Sequence, residues 1–284
     1  MKEQSLYINV GELNHLKIAR ESDNGFYLQS KDEEEVLLPN VYVDKSKMSI
    51  GMVIEVFVYT DSEDRLVATT LRPKAMVGEF GVFEVLDVKH YGAFVDWGLP
   101  KDLLVPLAHQ KRHFEVGSKH ILAVVLDSDT NRVYGSQKLG KFLSKDTQKL
   151  QKNQEVSLLV IAKTPMGYKV IVDNAYEGML YKNEIFKPIS SGDELVGYIK
   201  KIREDGKLDI SLKKLGIKSS DEEVAFVLAK LAQVGGELPF TYKSDADDIQ
   251  RVFQMSKKSF KRVLTKLIES KEIELLSNSI KLLK

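Results

Sequence analysis

The chain contains no cysteine among its 284 residues. This absence excludes disulfide bonds, thiolate metal sites and cysteine nucleophiles, and it fits a protein of a reducing compartment. The sequence also lacks an apolar stretch approaching the roughly 18 residues that a membrane-spanning helix needs. Its N-terminal segment lacks the apolar run of a signal peptide. From these absences we expect a cytoplasmic protein without a membrane partner.

Patterns of catalytic and metal-binding residues are scarce as well. The sequence has no H-E-x-x-H, no G-x-S-x-G and no G-x-x-x-x-G-K-[ST] motif. His109 and His113 are four residues apart, but two basic residues between them disfavour a cation site, so we expect a solvated loop there. The acidic clusters at 33–35 and 245–248 are typical of solvation and helix capping. We therefore expect no catalytic activity, no cofactor and no bound metal.

Three segments of the chain share the same spacing of glycines and turns. In each segment, a glycine in the middle is followed after 25 or 26 residues by a second glycine, then by an apolar run, a turn and a short strand-like run. The glycine pairs are Gly25 with Gly51, Gly92 with Gly117, and Gly167 with Gly192. Each segment predicts five short strands, which must close on themselves to avoid two open edges. We therefore expect three tandem five-stranded OB-fold barrels at 1–72, 76–140 and 147–214.

The last segment, 219–284, has a helical pattern instead. A capping box at Ser220–Glu223 precedes the first predicted helix. A short second helix follows near 245–254, and a third helix carries an apolar stripe along 260–268. Two apolar runs around a Ser-Asn-Ser turn then predict a β-hairpin. Three helices and a β-ribbon outline a winged helix, so the chain is predicted to be mainly β with a C-terminal α+β domain.

Two short stretches of the middle segment, YGAFVDWG and KDLLVPL, resemble the RNA-binding repeat named for ribosomal protein S-one, a branch of the OB-fold. The third segment resembles the second half of that repeat in YEGMLYKNEI, and the first segment shares its skeleton. Three such repeats followed by a winged helix resemble the conserved virulence factor B family of Gram-positive bacteria. The resemblance implies a cytoplasmic RNA-binding protein with an indirect effect on gene expression and without catalytic activity.

The middle segment contains an aromatic and basic cluster, formed by Lys89, His90, Tyr91 and Phe94. Single-stranded nucleic acid needs exposed aromatic faces for its bases and cations along its phosphates. A regular strand would point Tyr91 and Phe94 to opposite faces, so we expect a bulge or bend at Gly92 to bring them together. The alternative places Phe94 in the core with Tyr91 at its rim. We interpret Trp97 as packing beneath a loop.

The third segment supplies a second candidate surface, in which Tyr181 takes the position of the repeat's histidine. Its members are Tyr168, Lys169, Tyr181, Lys200, Arg203 and Lys207. Lys207, like Arg132 of the middle segment, precedes a last strand, where the S-one-type repeat often carries a basic residue that faces RNA. The alternative for the cations of 200–207 is a solvated basic turn.

The balance of acidic and basic residues differs between the segments. Residues 1–72 hold 13 acidic against 8 basic residues, whereas 147–216 hold 12 basic against 9 acidic residues. Because the electrostatic contribution dominates non-specific binding to nucleic acid, the first segment should repel a phosphate backbone. We expect it to pack against the second segment or to contact a protein, and we expect the third segment and the tail to be the better anchors.

The third predicted helix of the tail carries Lys258, Lys261 and Arg262 opposite its apolar stripe. In a DNA-binding winged helix this face would enter the major groove; RNA backbone contact, domain packing and an ordinary solvated face are the alternatives. The leading prediction is a non-enzymatic protein that binds single-stranded RNA and regulates gene expression after transcription. A DNA-binding transcriptional regulator and a protein-interaction scaffold are the alternative functions.

Overall fold

The computed structural model describes residues 3–185, 188–212 and 221–283. Ser220, which opens the predicted capping box, lies outside the described residues. The chain divides into two compact units, 1–143 and 144–284. The first unit holds two β-barrels, and the second holds a third barrel and a helical domain.

The first barrel is closed, and its strands follow the order β1-β2-β3-β5-β4. They are β1 (Leu13–Ser22), β2 (Gly25–Gln29), β3 (Glu35–Pro39), β4 (Val53–Thr60) and β5 (Leu66–Thr69). Neighbouring strands are antiparallel except for β3 and β5, which are parallel. Because successive side chains of a strand alternate between faces, residues such as Leu16, Ile18, Phe26 and Leu28 fill the interior.

The second barrel is a five-stranded sheet of order β10-β9-β6-β7-β8 that is nearly closed. Its strands are β6 (Phe80–Lys89), β7 (Gly92–Val95), β8 (Leu103–Pro106), β9 (Lys119–Leu126) and β10 (Val133–Ser136). The two edge strands β8 and β10 lie side by side. A Cβ atom on Gly135 of β10 would stand 2.9 Å from Cγ2 of Val105 on β8, so the seam is closed by tight packing.

The first two barrels share one hydrophobic core. Phe57 and Tyr59 of β4 point out of the first barrel and join the buried residues of the second. The Phe57 ring meets Trp97 edge-on at 5.5 Å, and Trp97 is buried and donates a hydrogen bond from Nε1 to the carbonyl of Ala75 at 2.7 Å. At the edge of this interface, Lys101 donates from Nζ to the backbone carbonyl of Asp61 at 2.7 Å. The two barrels are therefore packed as one body.

The third barrel is closed and repeats the order of the first, β11-β12-β13-β15-β14. Its strands are β11 (Glu155–Thr164), β12 (Gly167–Val172), β13 (Tyr176–Tyr181), β14 (Glu194–Ile202) and β15 (Leu208–Ser211). Its interior is aliphatic and contains Val160, Val170, Leu180, Ile199 and Ile210.

The repeated glycines have a steric cause. Gly25 has a φ of 142° and Gly167 has a φ of 150°, a region that L side chains rarely adopt. A Cβ atom on either residue would lie 2.1 Å from a carbonyl oxygen of the facing strand, and one on Gly92 would lie 2.6 Å from such an oxygen. The repeat therefore retains glycine where the second and third strands of each barrel bring two backbones together.

The C-terminal domain contains three helices and a three-stranded sheet of order β16-β18-β17. Its elements are α1 (Asp221–Gln233), β16 (Glu237–Leu238), α2 (Ala246–Phe253), α3 (Lys257–Glu269), β17 (Ile273–Leu275) and β18 (Ile280–Leu282). Gln254, in the left-handed conformation with a φ of 51°, turns the chain between α2 and α3, and the Ser256 hydroxyl caps α3 by accepting from the amide of Ser259. Phe253 stacks on Phe260 at 4.7 Å in the core.

The fold class predicted from the sequence is confirmed: three five-stranded barrels precede a winged helix. Among the described residues, none of the helices combines the length and the apolar character of a membrane span.

Candidate nucleic-acid interface

The pairing register identifies equivalent positions on the outside of the three barrels. A line of outward-facing residues, one from each strand, crosses every barrel, and we call it the outer row. In the first barrel it consists of Arg20, Tyr27, Leu37, Val67 and Tyr59. In the second barrel it consists of Asp87, Phe94, Leu104, Tyr134 and Val125. In the third barrel it consists of Ala162, Lys169, Met179, Asp209 and Lys201.

The outer row of the first barrel is covered. Tyr59 is buried in the shared core and Val67 packs against it. At the other end, the guanidinium of Arg20 lies 3.6 Å from the centre of the Tyr27 ring. Glu35 holds Arg20 in place by accepting hydrogen bonds from Nε at 3.2 Å and from Nη2 at 2.7 Å. The first segment therefore packs against the second, one of the two roles expected for it.

The outer row of the second barrel presents aromatic rings. Tyr91 is 49% exposed, and its ring meets Phe94 at a right angle with 6.0 Å between centroids. Phe94 is half-buried and lies outside the shared core, so the alternative that places it in the core is wrong. His90 meets Tyr91 edge-on at 5.0 Å. The three rings form a continuous group, which we call the aromatic platform.

The aromatic platform does not arise from the predicted bulge or bend at Gly92. Tyr91 lies in the turn between β6 and β7, one residue before the strand begins, so strand alternation does not apply to it. The irregularity in the pairing lies instead on β6, between Val85 and Asp87. The sequence therefore predicted the neighbourhood of the two rings correctly and its geometric cause incorrectly.

The two cations predicted for the second barrel, Lys89 and Arg132, lie in different places. Lys89 is exposed and forms an ion pair with Asp87 at 2.6 Å, which raises the pKa of the Lys89 ammonium and lowers that of the Asp87 carboxyl. Arg132 instead forms an ion pair with Asp64 of the first barrel. Lys89 therefore stands beside the aromatic platform, whereas Arg132 is directed to the contact between the barrels.

Two residues of this face were missed by sequence reasoning. Tyr134 belongs to the outer row, and the ring of His109 lies against it with 4.5 Å between centroids. The signal for Tyr134 was the alternation of the run Val133–Ser136, in which every second residue must face outward. No comparable signal marks His109, because it ends a single turn of 3-10 helix after β8, where strand alternation does not apply.

The third barrel carries paired charges where the second carries rings. Arg203 donates from Nε to Asp209 at 2.7 Å and from Nη2 to the hydroxyl of Tyr181 at 2.6 Å. The nearby carboxylate of Asp209 raises the pKa of the Arg203 guanidinium. Tyr168 packs against the aliphatic core instead of joining this face. Its place in the predicted surface is corrected accordingly, since its position on β12 alternates with the outward-facing ones.

The lysines predicted for the third barrel have acidic neighbours as well. Lys169 and Lys207 lie 3.6 Å and 3.3 Å from the same carboxylate oxygen of Glu177. Lys200 pairs with Glu184, which also accepts a hydrogen bond from the hydroxyl of Ser211 at 2.8 Å. The four cations predicted from the sequence, Lys169, Lys200, Arg203 and Lys207, therefore each have a carboxylate partner. Lys201 is a further, exposed cation of the outer row.

Helix α3 exposes the basic face predicted for it. Lys258, Lys261 and Arg262 are exposed, opposite the buried stripe of α3. Arg262 also lies 3.7 Å from Glu223 of α1, a residue that is largely buried. Lys258 and Lys261 are therefore the better residues for testing surface charge, because changing Arg262 would disturb a contact within the domain.

The described residues contain no group of three or more histidine and carboxylate side chains placed to hold a metal ion. Gly135, Gly140 and Lys141 have part of the spacing of a phosphate-binding loop, but Phe142 follows where that motif has Ser or Thr. Gly135 also lies within β10, and Lys141 ends a single turn of 3-10 helix. These residues therefore do not form the glycine-rich loop and α-helix that the motif requires.

The second barrel contains a buried titratable group, His120. Its ring stacks on Phe114 at 3.8 Å, Nδ1 lies 3.1 Å from Nε2 of Gln137, and Nε2 lies 2.9 Å from the Ser118 hydroxyl. Burial, with a smaller effect of Arg112, lowers the pKa of His120 below its usual value of 6.5. In the unfolded chain His120 takes up a proton near that value, whereas the native chain resists protonation until a lower pH.

The free energy of unfolding of the first unit is therefore expected to fall as the pH drops below about 6.5. Urea denaturation of the wild type and of His120→Gln at a series of pH values measures this dependence. The variant should lose stability overall and show a flatter pH profile. His113→Ala, which removes an exposed histidine, is the control and should keep the wild-type profile. An unchanged profile in His120→Gln would contradict the prediction.

Two family models and several known proteins match this chain. An S1 domain model matches residues 10–71, which are the first barrel. A CvfB-like winged helix domain model matches residues 225–282. The chain is 29% identical to Uncharacterized protein YitL of Bacillus subtilis over 93% of this chain and 90% of that one. It is 25% identical to Conserved virulence factor B of Staphylococcus epidermidis over 97% and 95%, respectively.

A solved structure that matches this chain comes from Streptococcus pneumoniae and is described as a multidomain protein with nucleic acid binding domains. It is 24% identical to this chain, covers 96% of it and 98% of its own length, and superposes with a TM-score of 0.43. The resemblance to the conserved virulence factor B family that was predicted from the sequence is confirmed by the domain matches and the near full-length relatives.

Proposed function

We propose that this chain, built from S1-type barrels and a CvfB-like winged helix, binds single-stranded RNA and regulates gene expression after transcription. The observation that carries the proposal is the aromatic platform of the second barrel. Its exposed Tyr91 and adjoining Phe94 offer ring surfaces to unpaired bases, and Lys89 offers a cation to a phosphate. A duplex keeps its base faces stacked inside, so the platform suits a single strand.

The second unit supports the proposal by its charge. Residues 147–216 and the exposed face of α3 are basic, and Gln250 of α2 donates a hydrogen bond to the carbonyl of Ile185 beside the third barrel. One nucleic-acid strand could therefore contact both domains of this unit. We further propose that the chain acts by binding alone and catalyses no reaction, because its sequence has no H-E-x-x-H, G-x-S-x-G or G-x-x-x-x-G-K-[ST] motif.

Binding of labelled single-stranded RNA, single-stranded DNA and duplex DNA, measured by fluorescence anisotropy across a salt series, tests the proposal. The expected result is a preference for single-stranded RNA with an affinity that falls as salt is added. A preference for duplex DNA would favour a transcriptional regulator acting through α3, whose turn at Gln254 and basic surface fit that alternative. No binding to any of the three would favour a protein-interaction scaffold.

The double variant Lys258→Ala/Lys261→Ala is expected to weaken RNA binding to a similar extent for every RNA sequence. For a single strand, removing one lysine that neutralises a phosphate should reduce the slope of log affinity against log salt by roughly 0.7. The fold should survive, because both side chains are exposed and the buried stripe of α3 is untouched.

The matched control for this variant is Lys17→Ala/Lys31→Ala. It removes the same charge from exposed positions of the first barrel, where the acidic balance should keep phosphates away. The control should keep the wild-type slope. Equal slopes for the α3 variant and the wild type would exclude α3 as an RNA-binding surface.

A further inference from the structure

We infer that Tyr134 and His109 form a second base-binding position on the second barrel, in which a nucleobase packs on Tyr134 and accepts a hydrogen bond from Nε2 of His109. The inference rests on the proposed function, since it concerns the same single strand. The position differs from the aromatic platform, which is built by the turn before β7 and by Phe94 of β7. It adds a residue that distinguishes bases, because a hydrogen bond to a base edge depends on which acceptor the base presents.

The outer row connects the two positions. Phe94 and Tyr134 both face outward, on strands separated by β8, and the half-buried Leu104 lies between them in the row. Strands that lie side by side in a sheet are about 4.8 Å apart, so the two rings stand roughly 10 Å apart on one face. A strand held on the platform would therefore continue past Leu104 towards Tyr134.

From the hydrogen bonds around His109 we assign the proton of its neutral ring to Nε2. The hydroxyl oxygen of Ser136 accepts from the backbone amide of Lys138 at 3.2 Å and lies 3.1 Å from Nδ1 of His109. The hydroxyl hydrogen of Ser136 is then free to be donated to Nδ1. A neutral imidazole that accepts at Nδ1 carries its proton on Nε2, so His109 is a donor at its other nitrogen.

The surroundings keep His109 neutral and in place. Burial lowers its pKa, the charges of Lys138 and Lys141 lower it further, and Asp127 acts weakly in the opposite direction. The backbone carbonyl of His109 accepts from the amide of Gln137 at 2.9 Å, which ties the loop to the end of β10. Among the described residues, Nε2 of His109 has no hydrogen-bond partner. The loop therefore holds a fixed donor beside the Tyr134 ring, with two lysines near enough to attract a phosphate.

The test compares wild type, His109→Phe and Tyr134→Ala in binding a single-stranded RNA oligomer and the same oligomer with abasic positions. His109→Phe keeps a ring against Tyr134 and removes the donor, so the loop should stay folded. Both variants should weaken binding of the intact oligomer about fivefold or more. With the abasic oligomer the variants should match the wild type, since the base that they contact is missing.

His113→Ala is the matched control, because His113 is an exposed histidine of the same loop. It should leave the affinity within about twofold, which is the effect of a typical surface substitution. If wild type binds the intact oligomer and His109→Phe and Tyr134→Ala bind it equally well, this inference is wrong and the proposed function stands. The same holds if the variants lose as much affinity for the abasic oligomer. If the wild type binds no single strand, the proposed function itself is wrong.

Discussion

Phe57→Ala is expected to lower the free energy of unfolding of the first unit by about 3–5 kcal/mol, as truncation of a buried phenylalanine does. Phe57 is fully buried between the first two barrels and meets Trp97 edge-on. The strands on either side of β4, β1 and β5, belong to the closed first barrel. The cavity left by the Phe57 ring therefore cannot collapse easily. Trp97 is the only tryptophan of the chain, and its fluorescence during chemical denaturation reports on this interface.

Val41→Ala is a suitable control for Phe57→Ala, since Val41 belongs to the same barrel and is 80% exposed. Its effect should stay within about 0.5 kcal/mol. A Phe57→Ala protein in which the Trp97 transition stays at the wild-type denaturant concentration would contradict the shared core. The same core means that deleting residues 1–72 would strip apolar surface from the second barrel, so point variants test the role of the first barrel more cleanly than truncation.

The double variant Tyr91→Ala/Phe94→Ala is expected to give the largest loss of RNA affinity. Stacking of a base on an aromatic side chain contributes about 1–3 kcal/mol, so each substitution should weaken binding by roughly 5-fold to 150-fold. The two rings contact each other, so their effects need not add. Anisotropy titrations of both single variants and the double variant measure the effects and their coupling.

Leu86→Ala is the control for the platform, because Leu86 is a comparably exposed apolar residue on β6 of the same barrel. It should leave RNA affinity unchanged. Thermal melting separates binding from stability, and the half-buried Phe94 should cost less stability than a core phenylalanine. A large fall in melting temperature for Phe94→Ala with unchanged affinity would show that the ring supports the fold and does not stack on bases.

The architecture could be predicted from the sequence because its cause is local. Gly25, Gly92 and Gly167 mark close approaches between backbones, and such approaches admit no larger residue whatever else changes. The helical spacing of the tail likewise follows from the one apolar face that each helix must bury. Each of these constraints acts within one pair of consecutive strands or within one helix, so a single sequence displays them.

The candidate sites were less predictable, because they depend on which surfaces meet. Tyr27 and Tyr91 both flank a repeated glycine, yet Arg20 covers the first and the second is exposed. Arg132 occupies a position typical of RNA contact, but Asp64 of another barrel is its partner. Side-chain contacts between strands or between barrels decided both outcomes, and no spacing rule encodes them.

The paired charges of the third barrel affect which anions it can hold. A phosphate that approaches Lys169, Lys207 or Arg203 must compete with Glu177 or Asp209, carboxylates that are tethered beside the cations at a high effective concentration. A lone phosphate or a nucleoside monophosphate offers a single phosphate group and has no such advantage. Once one phosphate of a polymer is bound, the chain holds its next phosphates close to the remaining cations. The face would therefore select its ligands by their valency, accepting chains and leaving free nucleotides in solution.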